Sequence, residues 1–351
     1  GRYYSVQVFD FYTNTVGYKG RHTHGAAGLD LLLTGPNWDG MLLEGVDDVV
    51  QSPTSTGYIV IRTFVNSIAD LKNVAAYQEQ YRLTPSTQWK DGKPTMKPVL
   101  VHAYETPPIF DLSEPLNYFT FLNHALTENT PPPEDAGLMA MLERIQVGPN
   151  QNFDIKNLNP SVEAGLRRAV PAAIRIIDMG IQTGLTSNRL ANGWEMTADV
   201  GRHGLHYLRR AAIAKNFPHP LPKEGAFYPI ARVDSDGQQF NGSNRYQLTL
   251  TPDMIPQVEA FWSLSIYDEQ TRSVKNEINR YTISDRTKGI KFEDDGTLKI
   301  IIQHDRPSEG ESNWLPAPPG SFFLALRAYQ PAKEIQAGEY TPPPVERLNN
   351  K

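Results

Sequence analysis

The apolar positions of this chain change spacing twice, and the two changes divide it into three regions. Up to about residue 100 the apolar runs are short and β-like: YYSVQVFDFY alternates imperfectly, while LDLLLTG and GYIVIRTFV are bounded by glycine. Turn signals such as GPNWDG and SPTSTG end each run. The region reads as β-sheet. It is interrupted by DLKNVAAYQEQYRLTP, a short helical or turn-rich stretch ending before Pro85, and by the polar linker STQWKDGKPTMKP.

From about 111 to 217 the spacing becomes helical. LSEPLNYFTFLNHALTEN predicts a helix that stops before the prolines at 131–133, and PEDAGLMAMLERIQV a second that starts near Pro133 with acids in its first turn. In NPSVEAGLRRAVPAAIRIIDMGIQTG, Val162, Leu166, Val170, Ile174, Ile177 and Ile181 recur every three or four residues. Pro160 fits the first turn of this helix, Gly184 its end, and Pro171 predicts a kink. A fourth helical segment lies near GLHYLRRAAIAKN.

Beyond about residue 220 the β pattern returns. RYQLTLT, AFWSLSIYDE, TLKIIIQHD and SFFLALRAYQP have the length and the aromatic or β-branched content of strands in a sandwich or jelly roll. Alternation puts Trp262, Leu264 and Ile266 on one face of their strand and Phe261, Ser263, Ser265 and Tyr267 on the other. The expected domains are therefore a β domain over 1–100, a helical domain over 101–218 and a second β domain over 219–351.

At 351 residues the chain exceeds the about 250–300 residues at which single cores stop growing, which suits several domains. Basic residues are scattered and the net charge is −5, so nucleic acid is not an expected partner. The absence of cysteine excludes disulfides and thiolate chemistry. No apolar run reaches the roughly 18–20 residues of a membrane span. The chain opens without Met on a strand-like pattern, from which an upstream piece is expected.

Few motifs carry chemistry. In a strand, His22 and His24 of RHTHG would share a face and could meet one ion, with a further ligand such as His102, His124, Asp10 or Asp30. Surface or hydrogen-bonded imidazoles are the plainer reading, and no metal is expected. His203 and His206 in DVGRHGLHYLRR would share a helical side near Arg202, Arg209 and Arg210, a candidate anion site whose plainer reading is a solvated or ion-paired face. The acids Asp234, Asp236, Asp294 and Asp295 stand beside glycines, as β-turns require. No phosphate loop, dinucleotide fingerprint, nucleophile elbow or zinc motif occurs, and no cofactor is expected.

The richest polar and aromatic material lies in the last third: Asn244, Arg245 and Tyr246; Trp262 and Tyr267; Asn279, Arg280 and Tyr281; Asn313, Trp314 and Arg327. Such residues line pockets for sugars or organic ligands, and equally lock loops onto sheets through buried hydrogen bonds.

GRYYSVQVFDFYTNTVGYKGR, LLTGPNW and SPTSTGYIVIRTFV resemble the later part of DUF1254. YPIARVDSDGQQFNGSNRYQLTL, AFWSLSIYDEQT, NRYTISDRTKGI, DDGTLKIIIQHDRP and NWLPAPPGSFFLALRAYQP resemble DUF1214. The chain is thereby identified as similar to DUF1254/DUF1214 domain-containing proteins of the VPA0735-like group. The resemblance implies an N-terminal β-sandwich, a central helical domain, a C-terminal jelly-roll-like β-sandwich, and a periplasmic or secreted setting. It also implies an upstream stretch not in this sequence. Members carry threonines after the arginine where this chain has His22 and His24, which weakens a family metal there.

Two functional readings follow. One is a hydrolase or lyase acting on a small organic or carbohydrate-like ligand in an interdomain cleft. In it, Tyr246, Tyr267 and Arg280 are the catalytic candidates, and Asn244, Arg245, Trp262, Asn313, Trp314 and Arg327 the ligand-binding ones. The other is a non-catalytic binding or structural module of an envelope or particle, which would assemble as a homo-oligomer.

Overall fold

The computed structural model of the chain describes residues 2–95, 114–182, 189–197, 199–308 and 310–349. It is mixed β and α and divides into two compact units, residues 1–180 with 202–219 and residues 181–201 with 220–351. The helices of the middle region thus cluster with the N-terminal strands.

In the first unit, β1 (Tyr4–Asp10) lies between β2 (Thr15–Gly20) and β5 (Gly57–Thr63), both antiparallel to it. β3 (Leu31–Thr34) pairs in parallel with β4 (Asp48–Gln51), and β6 (Trp89–Lys90) is antiparallel to β7 (Lys93–Pro94). Alternation along β1 buries Ser5, Gln7 and Phe9 on one face. Gln7 is tolerated there because Arg62 Nη1 donates to its Oε1 at 2.7 Å and its Nε2 donates to Thr15 Oγ1 at 2.8 Å.

Between β2 and β3 comes a single helical turn, α1 (Arg21–His24), and α2 (Leu71–Gln78) follows β5. The middle region holds α3 (Asn117–Glu128), α4 (Ala136–Glu143), α5 (Pro160–Gln182) and α6 (Tyr207–Asn216). α3 ends ahead of the three prolines, and α5 starts on Pro160 and runs on through Pro171. Gly184, its expected end, lies outside the described residues. Leu116, Phe119, Val147, Phe153, Leu158 and Leu166 form the buried cluster among these elements.

The second unit contains a seven-stranded sheet. Its path is β14 (Thr282–Ser284), β13 (Val258–Asp268), β17 (Phe322–Pro331), β11 (Ile230–Ala231), β9 (Trp194–Met196), β8 (Arg189–Ala191), with β10 (Ala226–Phe227) also on β17. A four-stranded sheet runs β16 (Trp314–Pro316), β15 (Leu298–Gln303), β12 (Arg245–Leu250), β18 (Val345–Leu348), and α7 (Lys333–Gln336) follows β17. One apolar cluster draws on both sheets: Trp262, Leu264, Ile266, Leu324 and Leu326 from the larger, Tyr246, Leu248, Ile300 and Ile302 from the smaller. The β8–β9 hairpin falls inside the region read as helical. Asn192 and Gly193, both at positive φ, make its two-residue turn, and Trp194 buries completely with its indole N–H on the Pro343 carbonyl at 2.8 Å.

Candidate functional site

Most of the polar residues singled out in the last third hold the second unit together. The ring of Tyr246 is 0% exposed and meets Phe240 edge-on at 5.1 Å. Its hydroxyl accepts from the Asn241 amide at 3.0 Å and from Asn244 Nδ2 at 3.1 Å, and donates to the Asn241 carbonyl at 3.3 Å. Trp262 is part of the shared core, and buried Trp314 donates its indole N–H to the Gln303 carbonyl at 2.9 Å. Arg280 donates to the carbonyls of Glu311, Ser312 and Trp314, the last at 2.8 Å. Asn313 accepts from the Lys291 amide at 2.8 Å and donates to the carbonyls of Lys291 and Lys299. Arg245 donates from Nε to Gln303 Oε1 at 2.6 Å.

This corrects the expected convergence of Tyr246, Tyr267 and Arg280. Tyr246 faces the core from the smaller sheet, Tyr267 faces away from it on the larger, and Arg280 is occupied by backbone carbonyls. The acids of DSDG likewise serve their turn: Asp234 Oδ1 accepts the amides of Asp236 and Gln238.

Tyr267 and Arg327 do come together. Register sets Phe261 opposite Tyr329, Ser263 opposite Arg327, Ser265 opposite Ala325 and Tyr267 opposite Phe323, all on the face of the larger sheet turned away from its core. Phe261 and Tyr329 stack at 4.4 Å, and Tyr267 and Phe323 at 5.5 Å. The Arg327 guanidinium lies 5.5 Å over the Tyr267 ring and donates to its hydroxyl at 3.2 Å. Beside them Arg232 lies 4.9 Å over Phe323, with its Nε 3.5 Å from Glu195 Oε1. That contact is one of charge alone, since the buried Nε has no hydrogen-bond partner. Burial raises the Glu195 pKa, and Arg232 opposes the rise.

Arg286 lies 5.3 Å over Phe261 with Asp285 4.0 Å away, so three cations against two carboxylates on this aromatic, partly buried face leave a local excess of positive charge. Sequence reasoning missed Arg232, Glu195 and Phe323. Only strand register, through β9, β11 and β17, brings them beside Tyr267.

The histidine pair does not sit in a strand, so its shared face is corrected. β2 stops at Gly20 (φ 149), where a Cβ would stand 2.5 Å from the Tyr4 carbonyl oxygen. In the helical turn that follows, residues two apart diverge. His22 stacks on Tyr18 at 4.5 Å, while His24 Nδ1 lies 2.7 Å from Thr23 Oγ1 and its Nε2 3.6 Å from Asp48. Of the further ligands considered, Asp10 is bound to Asn14, His124 lies 3.4 Å from Glu128, Asp30 is exposed, and His102 lies outside the described residues. Among the described residues no cluster of three metal-ligating side chains occurs.

His203 and His206 also part from expectation, because α6 begins only at Tyr207 and both precede it in a turn, His206 N donating to the His203 carbonyl at 3.1 Å. His203 is 2% exposed. Its amide donates to Asn14 Oδ1 at 3.1 Å and its ring bonds the Thr13 backbone. Burial, then the cations Arg209 and Arg210, lowers its pKa to about 4, so the ring is neutral at pH 7.

The fold and these faces are those of a two-unit β-rich protein with helices in its first unit. The family model of a protein of unknown function, DUF1254, matches residues 1–85, and that of DUF1214, also a protein of unknown function, matches residues 225–333. The chain is a DUF1254/DUF1214 domain-containing protein. It is similar in structure to the VPA0106 protein from Vibrio parahaemolyticus, with a TM-score of 0.69 and 22% identity over 99% of this chain and 83% of the other. At that identity the likeness speaks for the fold alone. An uncharacterized protein from Burkholderia cenocepacia aligns over 55% of this chain and 44% of its own, at 15% identity and a TM-score of 0.27, too low to relate the folds. Among the described residues no helix is long and apolar enough to cross a membrane.

Proposed function

We propose that the second unit binds a small organic or carbohydrate-like molecule bearing one anionic group, on the outer face of the seven-stranded sheet. The observation that carries the reading is Arg327 resting on Tyr267 with most of its donors uncommitted, next to the stacked rings of Phe261 and Tyr329. A guanidinium held on a ring presents its fork to a carboxylate, and flat apolar rings suit an aromatic or sugar body. The two sheets that share one core are read here as a jelly-roll-like sandwich, which gives this face a rigid backing.

The test is calorimetric titration with phenylacetate and glucuronate, each against its uncharged counterpart. The charged ligands bind more tightly, and Arg327→Met lowers their affinity at least tenfold while the protein stays folded. Equal affinities for wild type and variant refute the assignment.

Catalysis by a hydrolase or lyase is the second reading, and Glu195 favours it. A half-buried carboxyl with a raised pKa, close to a cation, suits proton transfer. Glu195→Gln then abolishes turnover of a cleavable ester or glycoside panel and keeps binding. Loss of both, or of neither, removes the catalytic version. A periplasmic or secreted setting accompanies either reading, and fractionation of the source cells tests it.

A further inference from the structure

We infer that Arg210, in the first unit, anchors a second anion-binding site, one that takes a single carboxylate between the rings of Tyr12 and Tyr207. The guanidinium carbon lies 5.6 Å from the Tyr12 centroid and 5.2 Å from the Tyr207 centroid, so two aromatic faces hold it in place. The residue is only half-buried. Among the described residues no acceptor bonds its five N–H donors, and no carboxylate lies within ion-pair distance of it.

The acids and phenols around it, by contrast, are engaged. Asp10 accepts the Asn14 amide at 2.8 Å and Asn14 Nδ2 at 3.0 Å. Asp135 accepts the Tyr207 hydroxyl at 2.6 Å, and the Tyr12 hydroxyl donates to the Asn129 carbonyl. Both rings are therefore fixed by their own hydroxyls before any ligand arrives, and little ordering cost remains for binding. A carboxylate takes two parallel N–H donors from the guanidinium, in the plane that the rings leave free.

The two buried acids set the charge of the ligand. Asp10 and Asp135 both act on the Tyr12 phenol, which burial and these carboxylates push up to about 12. The same negative field repels a dianion about twice as strongly as a monoanion. A monocarboxylate is accordingly preferred over phosphate.

The experiment is isothermal titration of the full chain carrying Arg327→Met, so that the sheet face of the second unit contributes nothing. The probes are benzoate and inorganic phosphate at pH 7.5. Benzoate binds saturably, phosphate at least fivefold more weakly. Adding Arg210→Met abolishes the benzoate signal, and Arg210→Lys, which keeps the charge and loses the fork, weakens it at least fivefold with an unchanged melting temperature. Absence of saturable benzoate binding, undiminished binding in Arg210→Lys, or phosphate binding more tightly than benzoate each overturns the proposal.

Discussion

Replacing Tyr246 by phenylalanine separates architecture from chemistry. The substitution keeps the ring in its contacts with Phe240 and Phe322 and removes one oxygen, which accepts from the Asn241 amide and Asn244 Nδ2 and donates to the Asn241 carbonyl. Leaving a buried donor without its acceptor costs about 1–3 kcal/mol. Two donors lose their acceptor here, and the Asn244 amide, only half-buried, can turn to water, so a loss of about 2 kcal/mol is expected. In a unit of about 150 residues that lowers the melting temperature by about 4–8 °C. Differential scanning calorimetry measures the shift, and titration of the folded variant measures ligand affinity, which stays at the wild-type value. An unchanged melting temperature would show that the hydroxyl does not secure the turn. Lost binding in a folded variant would return Tyr246 to the functional site.

Further consequences of the structure can be checked in the same way. The His203 pKa is about 4 when folded against 6.5 when free, so between those values the unfolded chain binds the extra proton. Its contribution of about 3 kcal/mol is fully present above pH 6.5 and is lost as pH falls toward 4, with the raised Asp10 carboxyl acting in the opposite sense. Urea unfolding across pH 4–7 follows this, and His203→Gln flattens the slope; an identical slope in the variant contradicts the assignment. Gly242→Ala sets a Cβ 1.8 Å from the Pro318 carbonyl oxygen and costs more than about 3 kcal/mol, a loss that near-native stability of the variant would disprove. Asn313→Ala frees the carbonyls of Lys291 and Lys299 and one amide, lowers stability by about 1–2 kcal/mol, and leaves ligand affinity unchanged in titration.

Local periodicity carried most of the fold. The alternation of AFWSLSIYDE assigned Trp262, Leu264 and Ile266 to the core and Tyr267 to the opposite face, as the strand is built. The Asn192-Gly193 turn was an equally local signal, obscured by the helical stretches on either side of it. The histidine pair misled because one glycine ends β2 just before it, and a strand rule does not survive the change of backbone. Tyr246, Trp314 and Asn313 carried the residue types of a pocket, and their hydrogen bonds secure turns and loops instead. Arg232 and Glu195 were illegible for a physical reason: their nearness to Tyr267 follows from pairing across β9, β11, β17 and β13, segments far apart in the chain.

Electron density from protein purified without added ligand addresses the sheet face most directly. The expected result is an organic monoanion whose acid meets the Arg327 guanidinium and whose body lies on Phe261 and Tyr329. Ligand density confined to other parts of the second unit, with Arg327 bonded only to protein groups, would contradict it.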